Sequence, residues 1–118
     1  MAVKLSSRQQ AQVAFLEPLF AKLSRVNNLI EQMGAGPVDA QLVSGLGRML
    51  NEIKSGAGGL GLSGLADSAG LMATTARRGG NVAMKVRSLR ESLVVLRINY
   101  DQALKKASTP GTGEDEDP

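Results

Sequence analysis

The chain has 118 residues and contains neither histidine nor cysteine. This composition excludes a disulfide framework, a metal site built on thiolates or imidazoles, and catalysis by histidine. Residues 1–113 hold all 14 basic side chains and seven acidic ones, a net charge of +7, whereas residues 114–117 carry four acids. The basic body predicts an acidic partner, and composition leaves open a protein, a nucleic acid or a membrane surface.

No secretory or membrane-spanning segment is expected. The first ten residues lack the apolar stretch of a signal peptide. The longest compact apolar run, residues 93–96, is far too short to cross a bilayer. We therefore expect a soluble cytoplasmic protein with no membrane partner.

The first segment has apolar residues at helical spacing, three or four positions apart. Its predicted stripe consists of Val13, Leu16, Phe20, Leu23 and Ile30, broadened by Leu19, Val26 and Leu29. Pro18 lacks a backbone donor and its ring crowds the preceding turn. We therefore predict either a short helix to about Leu16 followed by a longer one, or a single kinked helix, ending at the breaker cluster 34–37.

Two further helices are predicted over about 38–57 and 62–77, separated by a glycine-rich turn. In the first of these, the residues expected to face inward are Leu42, Leu46, Met49 and Ile53. In the second they are Leu65, Ala69, Met72 and Ala76, which are mostly small and permit close approach.

The fourth helix has the clearest pattern, because its apolar residues alternate steps of four and three, which is the spacing of a bundle seam. The seam consists of Val82, Val86, Leu89, Leu93, Leu96, Tyr100 and Ala103, and Asn81 is the predicted N-cap. Four amphipathic helices joined by short breakers predict an all-α, antiparallel four-helix bundle over residues 1–107, with an extra or kinked N-terminal helix. Residues 108–118 are predicted to form a disordered acidic tail.

Residues 51–61, with the sequence Asn-Glu-Ile-Lys-Ser-Gly-Ala-Gly-Gly-Leu-Gly, carry the most specific motif. They resemble the signature of the histidine-containing phosphotransfer (Hpt) family, roughly His-x-Leu-Lys-Gly-Ser-Ala-x-x-Leu-Gly. Asn51 stands at the position of the phosphorylated histidine, and Lys54 matches the lysine. Ser55 and Gly56 reverse the usual order. The resemblance implies an Hpt-like bundle that takes part in bacterial two-component signalling.

Helical geometry places Asn51 on the exposed side of its helix. With Met49 and Ile53 facing the core, Asn51 points to solvent at 100° per residue. Its neighbours three and four positions away are Gly47, Arg48, Lys54 and Ser55, two very small and two basic residues. We expect these five residues to form an accessible, positively charged partner-binding surface.

The glycines of this helix need a compensating role, because each costs a helix about 1 kcal/mol relative to alanine. We assign close helix packing to Gly45 and partner access to Gly47. The glycine-rich segment could equally be an ordinary helix end and loop with no functional role.

The chemistry of Asn51 limits the function. Its amide nitrogen is delocalised into the carbonyl and offers hydrogen bonds only, and no base is evident in the sequence to activate Ser55. We therefore expect a non-enzymatic pseudo-Hpt protein, without cofactor or metal, which binds a response-regulator receiver domain or a sensor histidine kinase and modulates a phosphorelay. It would be a monomer or a homodimer.

Two alternatives remain open from the sequence. The first is a basic helical nucleic-acid-binding or scaffolding protein, since Arg77, Arg78, Lys85, Arg87, Arg90 and Arg97 cluster around the third loop and fourth helix. Three aromatic residues provide no stacking platform and no recognition helix stands out, so we do not expect a nucleic-acid partner. The second alternative is an inactive His-to-Asn variant of a true phosphotransfer protein.

Overall fold

The structure is a computed structural model that describes residues 4–37 and 39–110. Within these ranges the chain forms four α-helices and no strand: α1 (Ser7–Ala35), α2 (Ala40–Gly59), α3 (Ser63–Arg77) and α4 (Val82–Ala107). The predicted all-α four-helix bundle is confirmed. The predicted start of α2 at residue 38 lies outside the described residues. In the part of the chain that the structure describes, none of the helices combines the length and apolar character needed to cross a membrane.

Side-chain caps fix where three of the helices begin. Ser6 forms a capping box with Gln9 at the start of α1. Asp39 caps α2, because its side chain accepts hydrogen bonds from the backbone amides of Gln41 and Leu42. Asn81 caps α4, where its side-chain oxygen accepts from the Met84 amide at 3.1 Å, as predicted from the sequence.

The first segment is one continuous helix of 29 residues with Pro18 inside it. The expectation of two successive helices, or of an extra N-terminal helix, is therefore wrong for the described residues. An interior proline costs a helix about 3 kcal/mol or more. Leu16 and Leu19, on either side of Pro18, are both buried in the core. Burying two leucines contributes about 1.5–3 kcal/mol each, which offsets that cost.

Contacts between the helices show that helices packed against each other run antiparallel. The Tyr100 hydroxyl near the end of α4 donates to the Leu16 carbonyl near the start of α1, at 2.8 Å. Gln12 of α1 donates through Nε2 to the Leu60 carbonyl at the end of α2, at 3.0 Å. Asn99 of α4 donates to the hydroxyl of Ser68, early in α3. The four helices therefore close a ring in which α1 packs against both α2 and α4.

The core is one continuous cluster to which every helix contributes. Its largest fully buried side chains are Leu16, Leu19, Ile30, Met33, Leu46, Leu50, Ile53, Leu65, Met72, Leu89, Leu96 and Val26. The buried stripe of α2 is centred on Leu46, Leu50 and Ile53, and Met49 is only partly buried. The prediction that Met49 faces inward, with Leu50 left out, was therefore partly wrong.

Phe20 and Val82 were also placed in the predicted core, and the structure exposes both. Phe20 is 66% exposed because it lies about 70° from the centre of the buried stripe that Leu16, Leu19 and Leu23 form on α1. Val82 is the first residue of α4 and is 39% exposed. A helix terminus extends past the layers of the core, so the seam of α4 begins at Val86.

The described residues that follow α4 remain hydrogen-bonded to the bundle. Ser108 is the C-cap of α4, and Gln9 of α1 donates through Nε2 to the Thr109 carbonyl at 2.9 Å. Residues 108 and 109 therefore close the end of the bundle. The acidic residues 114–117 of the predicted tail lie outside the described residues.

Candidate functional site

The Asn51 side chain lies in a shallow depression on the outer side of α2. The depression has a volume of about 710 Å³ and is lined by Val43, Ser44, Arg48, Asn51, Glu52, Ser55 and Arg77. A second depression of about 480 Å³ shares Ser44 and Arg48 and continues toward the start of α2, where Ala40, Gln41 and Gly45 line it. We call the two together the α2 trough.

Small residues keep the first half of the α2 trough open. Ala40, Ser44 and Gly45 line it, and a Cβ atom added at Gly45 would meet nothing within 4 Å. The expectation that Gly45 serves close helix packing is therefore wrong, because this glycine faces open space. The backbone of α2 is therefore accessible from outside at Gly45.

Gly47 has the opposite environment from the one predicted. It is buried, and a Cβ atom at this position would lie 3.4 Å from Nε of Arg77. Because the buried stripe of α2 is centred on Leu46 and Leu50, Gly47 lies about 90° from that centre, on the side that α3 covers. Gly47 therefore contacts α3 and lets Arg77 cross α2, and its predicted exposure to a partner is wrong.

The remaining predicted site residues separate into two groups. Asn51, Arg48 and Ser55 line the same depression, with Arg48 and Ser55 exposed and Asn51 half-buried. Lys54 is exposed, but its aliphatic chain lies against α3, since a Cβ atom added at Gly70 would be 3.2 Å from its Cδ. Lys54 thus lies at the edge between α2 and α3, outside the lining of the trough.

Gly56, the reversed glycine of the motif, is packed under an aromatic ring. A Cβ atom at this position would meet the ring of Phe15 on α1, with Cζ 2.9 Å away. The glycine is therefore required by the packing of α1 on α2. Ser55, one residue earlier, is the member of this pair that faces the trough.

Arg77 is the site residue that sequence reasoning assigned elsewhere. It was grouped with the basic residues around the third loop and fourth helix, whereas its side chain lines the depression at Asn51. The one available signal was Gly47, because a glycine that costs stability inside a helix often has a close neighbour.

The basic cluster predicted from the sequence is divided among several faces of the bundle. Arg90 pairs with Glu31 of α1 through two hydrogen bonds of 2.8 Å. These hydrogen bonds and the positive charge of Arg90 lower the pKa of the Glu31 carboxyl. Arg97 lines a small depression between α1 and α4, while Lys85 lines another beside the α3–α4 turn. The described basic residues of this cluster therefore do not line one common depression.

The electrostatics of the α2 trough are dominated by two unpaired arginines. Arg48 and Arg77 make no ion pair and no side-chain hydrogen bond with the described residues. Among the described residues of the lining, Glu52 is the single carboxylate. The depression therefore carries two positive charges and one negative charge, with its guanidinium donors free for a ligand.

The chemistry within the trough consists of hydrogen bonding and charge. Asn51 offers an amide donor and acceptor, and Ser44 and Ser55 offer hydroxyls. No imidazole or thiol exists in the chain to act as base or nucleophile. Among residues 4–37 and 39–110, no three Asp or Glu side chains are grouped so that they could hold a metal ion.

Comparison with known proteins returned no match: no protein-family model, curated protein or solved structure matches this chain.

Proposed function

We propose that the chain is a pseudo-Hpt protein that docks a receiver domain or a sensor histidine kinase in the α2 trough and modulates a phosphorelay without carrying phosphate. The observation that carries the proposal is the placement of Asn51 beside Arg48 and Arg77 in an open depression. Asn51 occupies the motif position of the phosphorylated histidine. Its amide binds through hydrogen bonds and forms no phosphoramidate.

The shape of the trough supports docking by another protein. Helix α2 presents Ala40, Ser44 and Gly45 along an open strip that leads to Asn51. Small side chains along one helix face permit close approach of a partner's backbone. The two arginines provide charge complementarity to the acidic phosphorylation pocket that the Hpt resemblance implies for the partner.

The sharpest test substitutes Gly45, because its Cβ position is open and a new side chain there projects into the trough without disturbing the bundle. Gly45→Arg should abolish binding to a receiver or kinase that the wild-type chain retains in a pull-down. Ala21→Arg places the same side chain on an exposed position of α1 and should bind like wild type. Equal binding by both variants would show that the trough is not the docking surface.

Lys54→Glu adds a graded measurement. Because Lys54 lies at the edge between α2 and α3, outside the lining of the trough, its substitution should weaken binding less than Gly45→Arg does. A loss as complete as that of Gly45→Arg would move the centre of the interface toward the α2–α3 edge.

The His-to-Asn alternative is addressed by restoring the histidine. Asn51→His, incubated with a phosphorylated kinase or receiver, would become phosphorylated in an acid-labile, base-stable form if the rest of the site supports transfer. The wild-type chain should remain unphosphorylated under the same conditions. Phosphorylation of the wild-type chain would contradict a docking role without transfer.

A further inference from the structure

We infer that the α2 trough contains an oxyanion site in which Arg48 and Arg77, assisted by Asn51 and Ser55, bind a tetrahedral phosphoryl dianion. The inference deepens the proposed docking function and rests on it for the identity of the partner, which would be bound in its phosphorylated state. The anion site itself is a property of this chain and is tested without any partner.

The first support is the way Arg77 is held. It is the last residue of α3, and its guanidinium crosses to α2 over the buried Gly47. A Cβ atom at Gly47 would already lie 3.4 Å from Arg77 Nε and 3.9 Å from its Nη2, so a larger side chain would displace the guanidinium. Arg77 therefore lies against α2 at Gly47, and its side chain lines the same depression as Asn51.

The second support is that the side-chain donors of the trough form no hydrogen bond within the part of the chain that the structure describes. Arg48, Arg77, Asn51 and Ser55 make no side-chain hydrogen bond with the described residues. Each guanidinium provides five N–H donors, and the Asn51 amide provides two more. These donors come from two helices and line one depression, so an anion there can receive several hydrogen bonds at once.

Arg90 provides the contrast. Its guanidinium is neutralised by Glu31 in the two-pronged arrangement that suits a planar carboxylate. The fold pairs this exposed arginine with a carboxylate on a neighbouring helix. Arg48 and Arg77 are left unpaired, although Glu52 lines the same depression.

The number and placement of the donors favour a phosphoryl group over a carboxylate. One guanidinium fork satisfies both oxygens of a carboxylate, as it does at Glu31. A phosphoryl dianion has three strong acceptor oxygens and nearly twice the charge, so it uses donors from Arg48, Arg77 and Asn51 together. Glu52 repels any anion in the depression, so removal of its charge should strengthen anion binding.

The experiment is a titration of the full chain with inorganic phosphate, followed by NMR signals of the Asn51 amide group and the arginine Nε–H groups. It is run at constant ionic strength and about pH 8, above the second pKa of a phosphoryl group. We expect saturable shifts at Asn51, Arg48 and Arg77. Acetate at the same ionic strength should bind at least about tenfold more weakly, as expected when a carboxylate uses one guanidinium fork and a phosphoryl dianion uses two.

Matched variants assign the binding to these side chains. Arg77→Gln should weaken phosphate binding by about tenfold, the effect of losing one charged hydrogen-bonding group. Arg77→Lys keeps the charge and removes the fork, so it should also weaken binding. Glu52→Gln should strengthen it, and Arg87→Gln, on an exposed position of α4, should leave it unchanged.

Three results would overturn the inference. One is a linear, unsaturable shift that is no larger at Asn51 than at the exposed arginines of α4. Another is wild-type affinity in Arg77→Lys, which would reduce the effect to general electrostatic attraction. The third is equal weakening by Arg77→Gln and Arg87→Gln. Phosphate binding without partner binding would refute the docking function and support the anion site. Partner binding without phosphate binding would refute the anion site alone.

Discussion

Alanine substitution at two glycines of α2 should change the stability of the bundle in opposite directions. Both Gly45 and Gly56 are helical and neither has a positive φ. Alanine at Gly45 should raise the free energy of unfolding by about 0.5–1 kcal/mol, the gain in helix propensity, because its Cβ meets nothing within 4 Å.

Alanine at Gly56 makes the same gain but places a methyl group against the ring of Phe15, with Cζ at 2.9 Å. Overpacking of this kind costs about 1–3 kcal/mol, since the ring or the helix must shift. The net effect should be a loss of up to about 2 kcal/mol. The two variants therefore carry the same chemical change and differ only in what the new atom touches.

Urea denaturation monitored by far-UV circular dichroism measures both changes, provided that the slopes of the transitions agree. In a double-mutant cycle, Phe15→Leu should cost less stability in the Gly56→Ala background than in the wild type, because it removes the atoms that clash. A Gly56→Ala variant as stable as Gly45→Ala would refute the account of how α1 packs on α2.

Two other positions give independent predictions. Tyr100→Phe should lower the free energy of unfolding by about 1 kcal/mol, because the Tyr100 hydroxyl donates to the Leu16 carbonyl in the buried core. Burial raises the pKa of the Tyr100 hydroxyl above its ordinary value, so the folded state holds this proton more tightly than the unfolded chain. The stability from this group is present below pH 10, the usual pKa of tyrosine, and is lost as the pH rises above it. The difference in free energy of unfolding between wild type and Tyr100→Phe, measured by denaturation at a series of pH values, should therefore become smaller at alkaline pH. A difference that stays constant with pH would contradict this. Asn81→Ala should cost about 1 kcal/mol through loss of the α4 N-cap, measured by thermal unfolding, whereas Asn81→Ser should retain most of the stability.

The sequence predicted the helices well because their signals are local. Three-and-four spacing identified the seam of α4 from Val86 to Tyr100, and Asn81 was identified as its cap from its position after a glycine pair. The prediction that α1 breaks at Pro18 was wrong, because the free-energy cost of a proline inside a helix is offset by the burial of leucines in the core. Tertiary contacts decide that balance, and a single helix sequence does not contain them.

The candidate site was predicted less completely for a related reason. Helical periodicity placed Asn51 away from the core but does not show which flank of α2 another helix covers. As a result the close helix packing predicted for Gly45 is found at Gly47, which contacts α3, and the open surface predicted for Gly47 is found at Gly45. Arg77 lies 26 positions after Asn51, and only the antiparallel packing of α3 on α2 brings it into the trough.

The most direct test of the docking role is chemical-shift mapping of the ¹⁵N-labelled chain with a receiver domain or kinase that it retains. Backbone and side-chain signals of Ser44, Gly45, Asn51 and Arg77 should shift or broaden on titration, and Gly45→Arg should remove the effect. The outer face of α4 offers the competing surface, because Val94, Val95 and Ile98 are exposed there. Perturbations confined to that face, with the α2 trough unaffected, would contradict the proposed docking site.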